Sequence, residues 1–258
     1  MAKVYENTWW GNICDVTNNW GNVYSSIANC FTNKKSVYQN GTSSNQAISV
    51  TKNPFEATQH GQFIVMAWVK CDPRMSTDTS YDFRPIVDLS DSIFSTANGK
   101  GYSIFMRKTS AGNITMNWFF KRENQTRINS SCIVGMSAFD LDKPLLVVAS
   151  VYSINANSLR VQNLRVYQNG VNNNNYVDVQ RSWSPTPVNY NIGQDLVFGN
   201  TNDPGQYAQE FIGNLDEISL WNLGNSAGFD SYIGLADRYF NNGTPNLDLS
   251  KDPLYSLI

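Results

Sequence analysis

The residues best able to do chemistry are few, and most stand alone. The stretch FIGNLDEISLW, Phe211 to Trp221, sets Asp216 among apolar neighbours. Strand side chains alternate between faces, so Asp216, Ile218 and Leu220 are expected on one face and Leu215, Glu217, Ser219 and Trp221 on the other. A carboxylate at the edge of a core is costly unless a metal ion, an arginine or several backbone N–H groups meet it. Other acids offer no partner at catalytic spacing: Glu6, Glu56, Glu123, Glu210 and Glu217 are scattered. Asp88 and Asp91, in DLSD, lie three apart, and the loop signals beside them place both at a solvated strand end. The single histidine, His60, falls in the polar loop TQHGQ, so neither a Ser/His/Asp set, a Cys/His set nor a histidine metal cluster can be assembled around it. Cys14, Cys30, Cys71 and Cys132 form no CxxC pair; the reading favours buried thiols over two disulfides.

The elements that must position these groups are strands. Segments rich in β-branched and aromatic residues, split by Gly, Asn, Pro and Asp, predict strands at Gln46–Val50, Gln62–Lys70, Phe83–Leu89, Tyr102–Arg107 and Ile114–Lys121. Further strands are expected at Leu145–Val151, Leu164–Gln168, Leu196–Gly199 and Leu215–Trp221. Phe63–Val69 and Leu145–Val151 are apolar on both faces, as strands covered on both sides would be. In Ile114–Lys121, Ile114, Met116, Trp118 and Phe120 point one way, and Asn117, Phe119 and Lys121 the other. Asn169-Gly170 marks a hairpin, because both residue types tolerate positive φ. One helix is expected, Ala227 to Phe240, with Ser226 as cap and Phe229, Ile233, Ala236 and Phe240 on one face. The first thirty or so residues, with Trp9-Trp10 and two WGN triplets, fit the strand pattern least well and read as an arm that docks elsewhere.

Composition narrows the function classes. The chain has 258 residues, 41% hydrophobic and 16% charged, against a usual charged share of about 25%. Its formal net charge of −2 and lack of a basic face argue against nucleic acid. The longest apolar run, Pro144–Tyr152, is far short of the roughly 20 residues needed to span a bilayer. The opening MAKVYENTWWGN has no apolar signal core, so either a signal has been removed or the protein leaves its cell by another route, such as lysis. What remains is a neutral polar surface with aromatics, suited to stacking on sugar rings and hydrogen-bonding hydroxyls. Candidate ligand-binding residues are Asn117, Phe119 and Lys121 on their strand, Trp183 and Tyr190 in the loop RSWSPTPVNYN, and Tyr207 in NDPGQY. Most Trp and Tyr in a sandwich pack its core and loops, and that competing reading applies to each.

Several motifs in order carry a resemblance. KKSVYQNG (Lys34–Gly41), FIVMAWVK (Phe63–Lys70), the hairpin LRVYQNG (Leu164–Gly170) and the closing FIGNLDEISLWN (Phe211–Asn222) resemble laminin-G-like members of the concanavalin A-like lectin and glucanase superfamily. The Ser226–Gly243 segment resembles that family's closing helix, and the NNGTPNLDLS tail resembles modules of phage structural proteins. The resemblance implies an all-β, two-sheet antiparallel jelly-roll sandwich with one short C-terminal helix. It divides the chain into a docking arm (1–33), the jelly roll (34–245) and a C-terminal tail (246–258). Glucanase relatives carry an E-x-D-x-x-E run on one strand, which this chain lacks, so no enzyme activity is expected. Relatives often hold a structural calcium ion through the aspartate that opens the last core strand. That position is Asp216 here, with carbonyls near the Asn40-Gly41 turn as further donors; the competing reading is that Asp216 accepts backbone N–H or arginine hydrogen bonds.

The expected function is a non-enzymatic virion structural protein, decorating a phage capsid or forming part of a tail fibre, whose fold binds cell-surface glycans. The alternatives are a free-standing carbohydrate-binding lectin module in an extracellular setting, or a divergent glycan-cleaving enzyme. Expected partners are other virion proteins, met through the Trp-rich N-terminal segment or the apolar tail PLYSLI, cell-surface glycans and further copies of the chain.

Overall fold

The computed structural model describes residues 2–7, 23–24, 36–40, 48–50, 63–77, 83–90, 101–121, 130–153, 160–183, 196–201 and 211–222, with positions 234, 236, 237 and 240. Its strands are β1 (Ala2–Asn7), β2 (Val23–Tyr24), β3 (Ser36–Asn40), β4 (Ile48–Val50), β5 (Phe63–Cys71), β6 (Phe83–Ser90) and β7 (Gly101–Lys108). They continue with β8 (Ile114–Lys121), β9 (Ser130–Gly135), β10 (Leu145–Ser153), β11 (Arg160–Tyr167), β12 (Tyr176–Trp183), β13 (Leu196–Phe198) and β14 (Ile212–Asn222). One short helix, α1 (Arg74–Thr77), follows β5. The strands form two antiparallel sheets, as expected of a sandwich. The first runs β12-β11-β10-β5-β14-β3-β2, with β1 also on β14; the second runs β4-β13-β6-β7-β8-β9.

Alternation explains the core. Val65, Ala67 and Val69 of β5 and Val147 and Ala149 of β10 face Ile104 and Met106 of β7 and Met116 and Trp118 of β8 between the sheets. Each fully buried aliphatic side chain contributes about 1.5–3 kcal/mol. The other face of the first sheet is also buried: Ile64, Met66, Trp68, Leu146 and Val148 are almost wholly inaccessible, as their unbroken apolar runs require. Part of the cover is the expected helix. Residues 234, 236, 237 and 240 are helical, while the rest of Ala227–Phe240 lies outside the described residues. Phe240 stacks on Trp68 with ring centroids 6.0 Å apart. Tyr167 Oη donates to Asp237 Oδ1 at 2.7 Å, and Arg165, laid over the Tyr176 ring at 3.9 Å, reaches the same carboxylate oxygen at 3.7 Å.

The strand that carries Asp216 departs from simple alternation. Leu215 and Ile218 both lie in the core, which strict alternation forbids for residues three apart. The register slips between Asp216 and Ser219, a β-bulge, and it resets the faces. Strict alternation therefore does not fix the face of Asp216, whose register partner is Trp68, on the outward row of β5. The register also sets Asn40 opposite Ile212, four positions along β14 from Asp216, or about 13 Å at the usual strand rise. Backbone carbonyls at Asn40 are thus too distant to share an ion with Asp216. Gly213 in the same strand has φ +147, and a Cβ there would collide with the Lys70 carbonyl oxygen.

The hairpin expected at Asn169-Gly170 is present, with a longer connection: β11 and β12 are joined by residues 168–175, closed by Gln168 N–H to the Asn175 carbonyl at 2.9 Å. Gly170 takes φ +81, but the second left-handed position is Asn175, at φ +59. Trp183, expected in a loop, is instead the last residue of β12, opposite Arg160. Of residues 1–33, expected as an arm that docks elsewhere, the described strands β1 and β2 pair with β14 and β3 of the first sheet. Cys71 and Cys132 are buried free thiols, as expected, while Cys14, Cys30 and His60 lie outside the described residues.

Candidate functional site

The outer face of the second sheet gathers two of the sequence candidates. Cross-strand registers form one row of Phe83, Arg107, Thr115 and Gly135, and a second of Pro85, Phe105, Asn117 and Ile133. A third joins Asp88, Ser103, Phe119 and Ser131. This face is more aromatic than the sequence implied. The Phe105 and Phe119 rings meet edge to face at 4.6 Å, Phe83 meets Phe105 at 4.9 Å, and the Arg107 guanidinium sits 4.8 Å over Phe83. Ile133 is the exposed large apolar side chain here, at 45%.

The candidates play unequal parts on it. Phe119 is half-buried. Asn117 is buried; its Nδ2 donates to the Thr115 carbonyl and hydroxyl, each at 3.0 Å. That amide steadies Thr115 and has little left to give a ligand. Lys121 holds the register position opposite Gly101 on the same strand; its side chain and that of Trp183 lie outside the described residues, as do Tyr190 and Tyr207. The side chain of Asp216 is likewise outside them. Among the described residues no three of His, Cys, Asp and Glu gather as metal ligands. Asp88, expected at a solvated strand end, is wholly buried on this face: Ser90 Oγ and Thr201 Oγ1 each donate to its carboxylate at 2.9 Å. Those hydroxyls do the work that water would do at an exposed end.

The same sheet ends in a cleft of about 550 Å³ that the sequence reading missed. One wall is the β7–β8 turn, and the other is the chain leaving β9. Four neutral polar side chains line it, Thr109, Asn113, Thr115 and Ser137, above an apolar floor of Ile114, Met136, Phe139 and Leu141. No charged side chain is part of the lining. Both walls are held from behind. Thr109 N–H donates to the Asn113 carbonyl at 2.8 Å, and Asn113 N–H returns to Thr109 Oγ1 at 3.2 Å. Met136 N–H donates to the Ile114 carbonyl at 3.0 Å, tying the second wall to the first. Gln168, buried in β11's turn, accepts from Asp140 N–H and donates to the Asp140 carbonyl, both at 2.7 Å. Beyond the cleft, the Lys143 ammonium 2.8 Å from Asp140 holds that carboxyl below its ordinary value.

Hydroxyls and an amide beside apolar carbon are the groups that sites for neutral polyhydroxyl ligands use. A signal for the cleft lay in the paired stretches TSAGN and MSAFD. Each mixes small polar residues with glycine or alanine, and Phe139 is an apolar residue in a turn that has to pack somewhere.

No protein-family model and no curated protein matches the chain. Solved structures do resemble it in shape. The enzymatically active domain of tailspike protein 2 of bacteriophage CBA120 matches at 10% identity with a TM-score of 0.54, over 92% of this chain and 32% of that one. The binding domain of botulinum neurotoxin serotype D matches at 13% identity and 0.54, over 91% of this chain and 50% of that one. NanB sialidase from Streptococcus pneumoniae matches at 13% identity and 0.50, over 91% and 28%. The chain thus spans half or less of each of these three proteins. At such identities the likeness is one of fold: an all-β sandwich shared with parts of larger proteins.

Proposed function

We propose that the protein is a non-enzymatic structural component of a phage particle, in a capsid decoration or tail fibre, whose laminin-G-like sandwich binds cell-surface glycans. The observation that carries the reading is the cleft at the end of the second sheet, lined by hydroxyls and an amide over apolar carbon and free of charge. Sugars need such neutral hydrogen-bonding groups beside apolar carbon. Most glycoside hydrolases work with a pair of carboxylates flanking the bond, and the lining has none. A fold shared with part of a phage tailspike and with a toxin's binding domain supports a place on an outer surface. Many copies on one particle would turn weak single sites into firm attachment.

The same reading keeps Asp216 as a scaffold residue, with a structural calcium ion as the candidate occupant beside it. Protein mass spectrometry of purified particles tests the virion assignment. A fixed copy number relative to the coat protein is expected. Absence from particles, with glycan binding by the free protein, would instead make it a free-standing lectin.

A further inference from the structure

We infer that the cleft selects an uncharged acetamido sugar, an inference that rests on the glycan-binding reading above. Three features lead to it. The first is capacity: about 550 Å³ holds one or two sugar rings and falls in the usual range of ligand pockets, about 300–1,000 Å³. The second is charge. A sialic or uronic acid carboxylate would enter a lining with no cation, and an unpaired carboxylate loses more on desolvation than it regains. Cations stand near the cleft without lining it: Lys108 is the register partner of Ile114, Lys143 is paired with Asp140, and Arg107 sits over Phe83.

The third feature is the direction of the hydrogen bonds. Thr115 Oγ1 donates its proton to the Arg107 carbonyl at 3.2 Å while receiving Asn117 Nδ2 at 3.0 Å, so its remaining lone pair only accepts. Thr109 Oγ1 receives Asn113 N–H at 3.2 Å, which leaves its own proton to donate. Thr115 thus presents an acceptor and Thr109 a hydroxyl proton on the same wall, a pair that the N–H and C=O of one amide satisfy together. The methyl of an acetamido group then has Met136, Phe139 and Leu141 to pack on, residues that continue the core. A simple hexose can meet the same two groups with its hydroxyls but brings no methyl to that apolar floor.

The test titrates the full chain by ligand-observed NMR with three probes: the methyl glycosides of N-acetylglucosamine, glucose and N-acetylneuraminic acid. Saturable binding of the first, at least ten-fold tighter than the second and with no binding of the third, is expected. Gly135→Phe fills the cleft from a position where an added Cβ meets nothing within 4 Å. It is expected to weaken the acetamido probe ten-fold or more while the melting temperature holds. Should that variant fail to fold, Ser137→Trp, at an exposed lining position, replaces it with the same expectation. Preference for the sialoside, equal binding of glucoside and acetamido probe, or undiminished binding by the filled variants would overturn the inference. A glycan array separates the two levels: binding that survives in Gly135→Phe removes the cleft but keeps glycan recognition, whereas no binding of the parent protein to any glycan removes both.

Discussion

Gln168 is where the stability of the sandwich and the shape of its cleft meet. Its buried amide holds Asp140 by a reciprocal pair of 2.7 Å bonds and so fixes the wall that carries Met136, Ser137 and Phe139. Gln168→Leu keeps most of the volume and removes both bonds. Each neutral hydrogen bond is worth about 0.5–1.5 kcal/mol, so the loss sums to about 1–3 kcal/mol. The lower half is expected, because Asp140 is exposed and water can reach its freed backbone groups. At about 2–4 °C per kcal/mol for a chain near this size, the melting temperature should fall by roughly 5 °C. Urea unfolding should show a lower midpoint with an unchanged slope, since the surface exposed on unfolding is the same. Hydrogen exchange adds a local readout: the Asp140 amide should lose protection beyond the global change, and ligand affinity at the cleft should fall with it. An unchanged midpoint together with an Asp140 amide protected as before would refute the claim that Gln168 fixes this wall.

Four further outcomes follow from particular contacts. Gly213→Ala should cost about 1–3 kcal/mol or more, as for a side chain forced into a glycine-only conformation, because its Cβ meets the Lys70 carbonyl; denaturant unfolding measures it, and a loss under about 0.5 kcal/mol, the size of ordinary surface changes, would contradict it. Tyr167→Phe removes the hydroxyl that joins Arg165 to Asp237 and should cost about 1.5–3 kcal/mol, with exchange quickening at residue 237 before the sheets; equal protection there would count against the tie. Burial pushes the Cys71 and Cys132 thiols up to about 12 from an ordinary 9.0, with Asp142 and Asp72 adding to Cys71. The folded thiols keep protons that the unfolded chain releases, so stability is whole below pH 9 and falls above it by up to about 1.4 kcal/mol per pH unit for each thiol; urea midpoints from pH 8 to 11 should decline less steeply in Cys71→Ala/Cys132→Ala, and parallel declines would contradict the assignment. Asp216→Asn should lower the melting temperature in calcium but not in chelator; equal melting of parent and variant in both buffers would remove the metal.

Much of the fold is legible because burial imposes a period. β8 was read to its boundaries, since Met116 and Trp118 must face the core while Asn117 and Phe119 face away. The strands of the first sheet were legible for the opposite reason: unbroken apolar runs in β5 and β10 require cover on both faces, and Phe240 supplies part of it. Period failed where geometry breaks it. The bulge in β14 is an extra residue that alternation cannot register, so a period of two does not carry from Leu215 through to Ile218. β12 lies at the edge of the first sheet with Asp178, Gln180 and Ser182 along one face, and its polar content disguised it as a loop. The burial of Asp88 is not legible locally because, beside nearby Ser90, it depends on Thr201, which stands 113 positions away. The cleft was invisible for a like reason. Its walls are turn residues whose meeting depends on Gln168 and on the β8–β9 register, neither of which a local pattern contains.

The central claim, a surface that holds glycans without cutting them, is tested most directly on a glycan array read two ways. Retained protein is quantified by fluorescence, and released sugar in the wash is quantified by mass spectrometry. The account predicts saturable retention on neutral acetamido glycans with no released product. Release of sugar that tracks protein concentration, or no retention on any glycan, would contradict it.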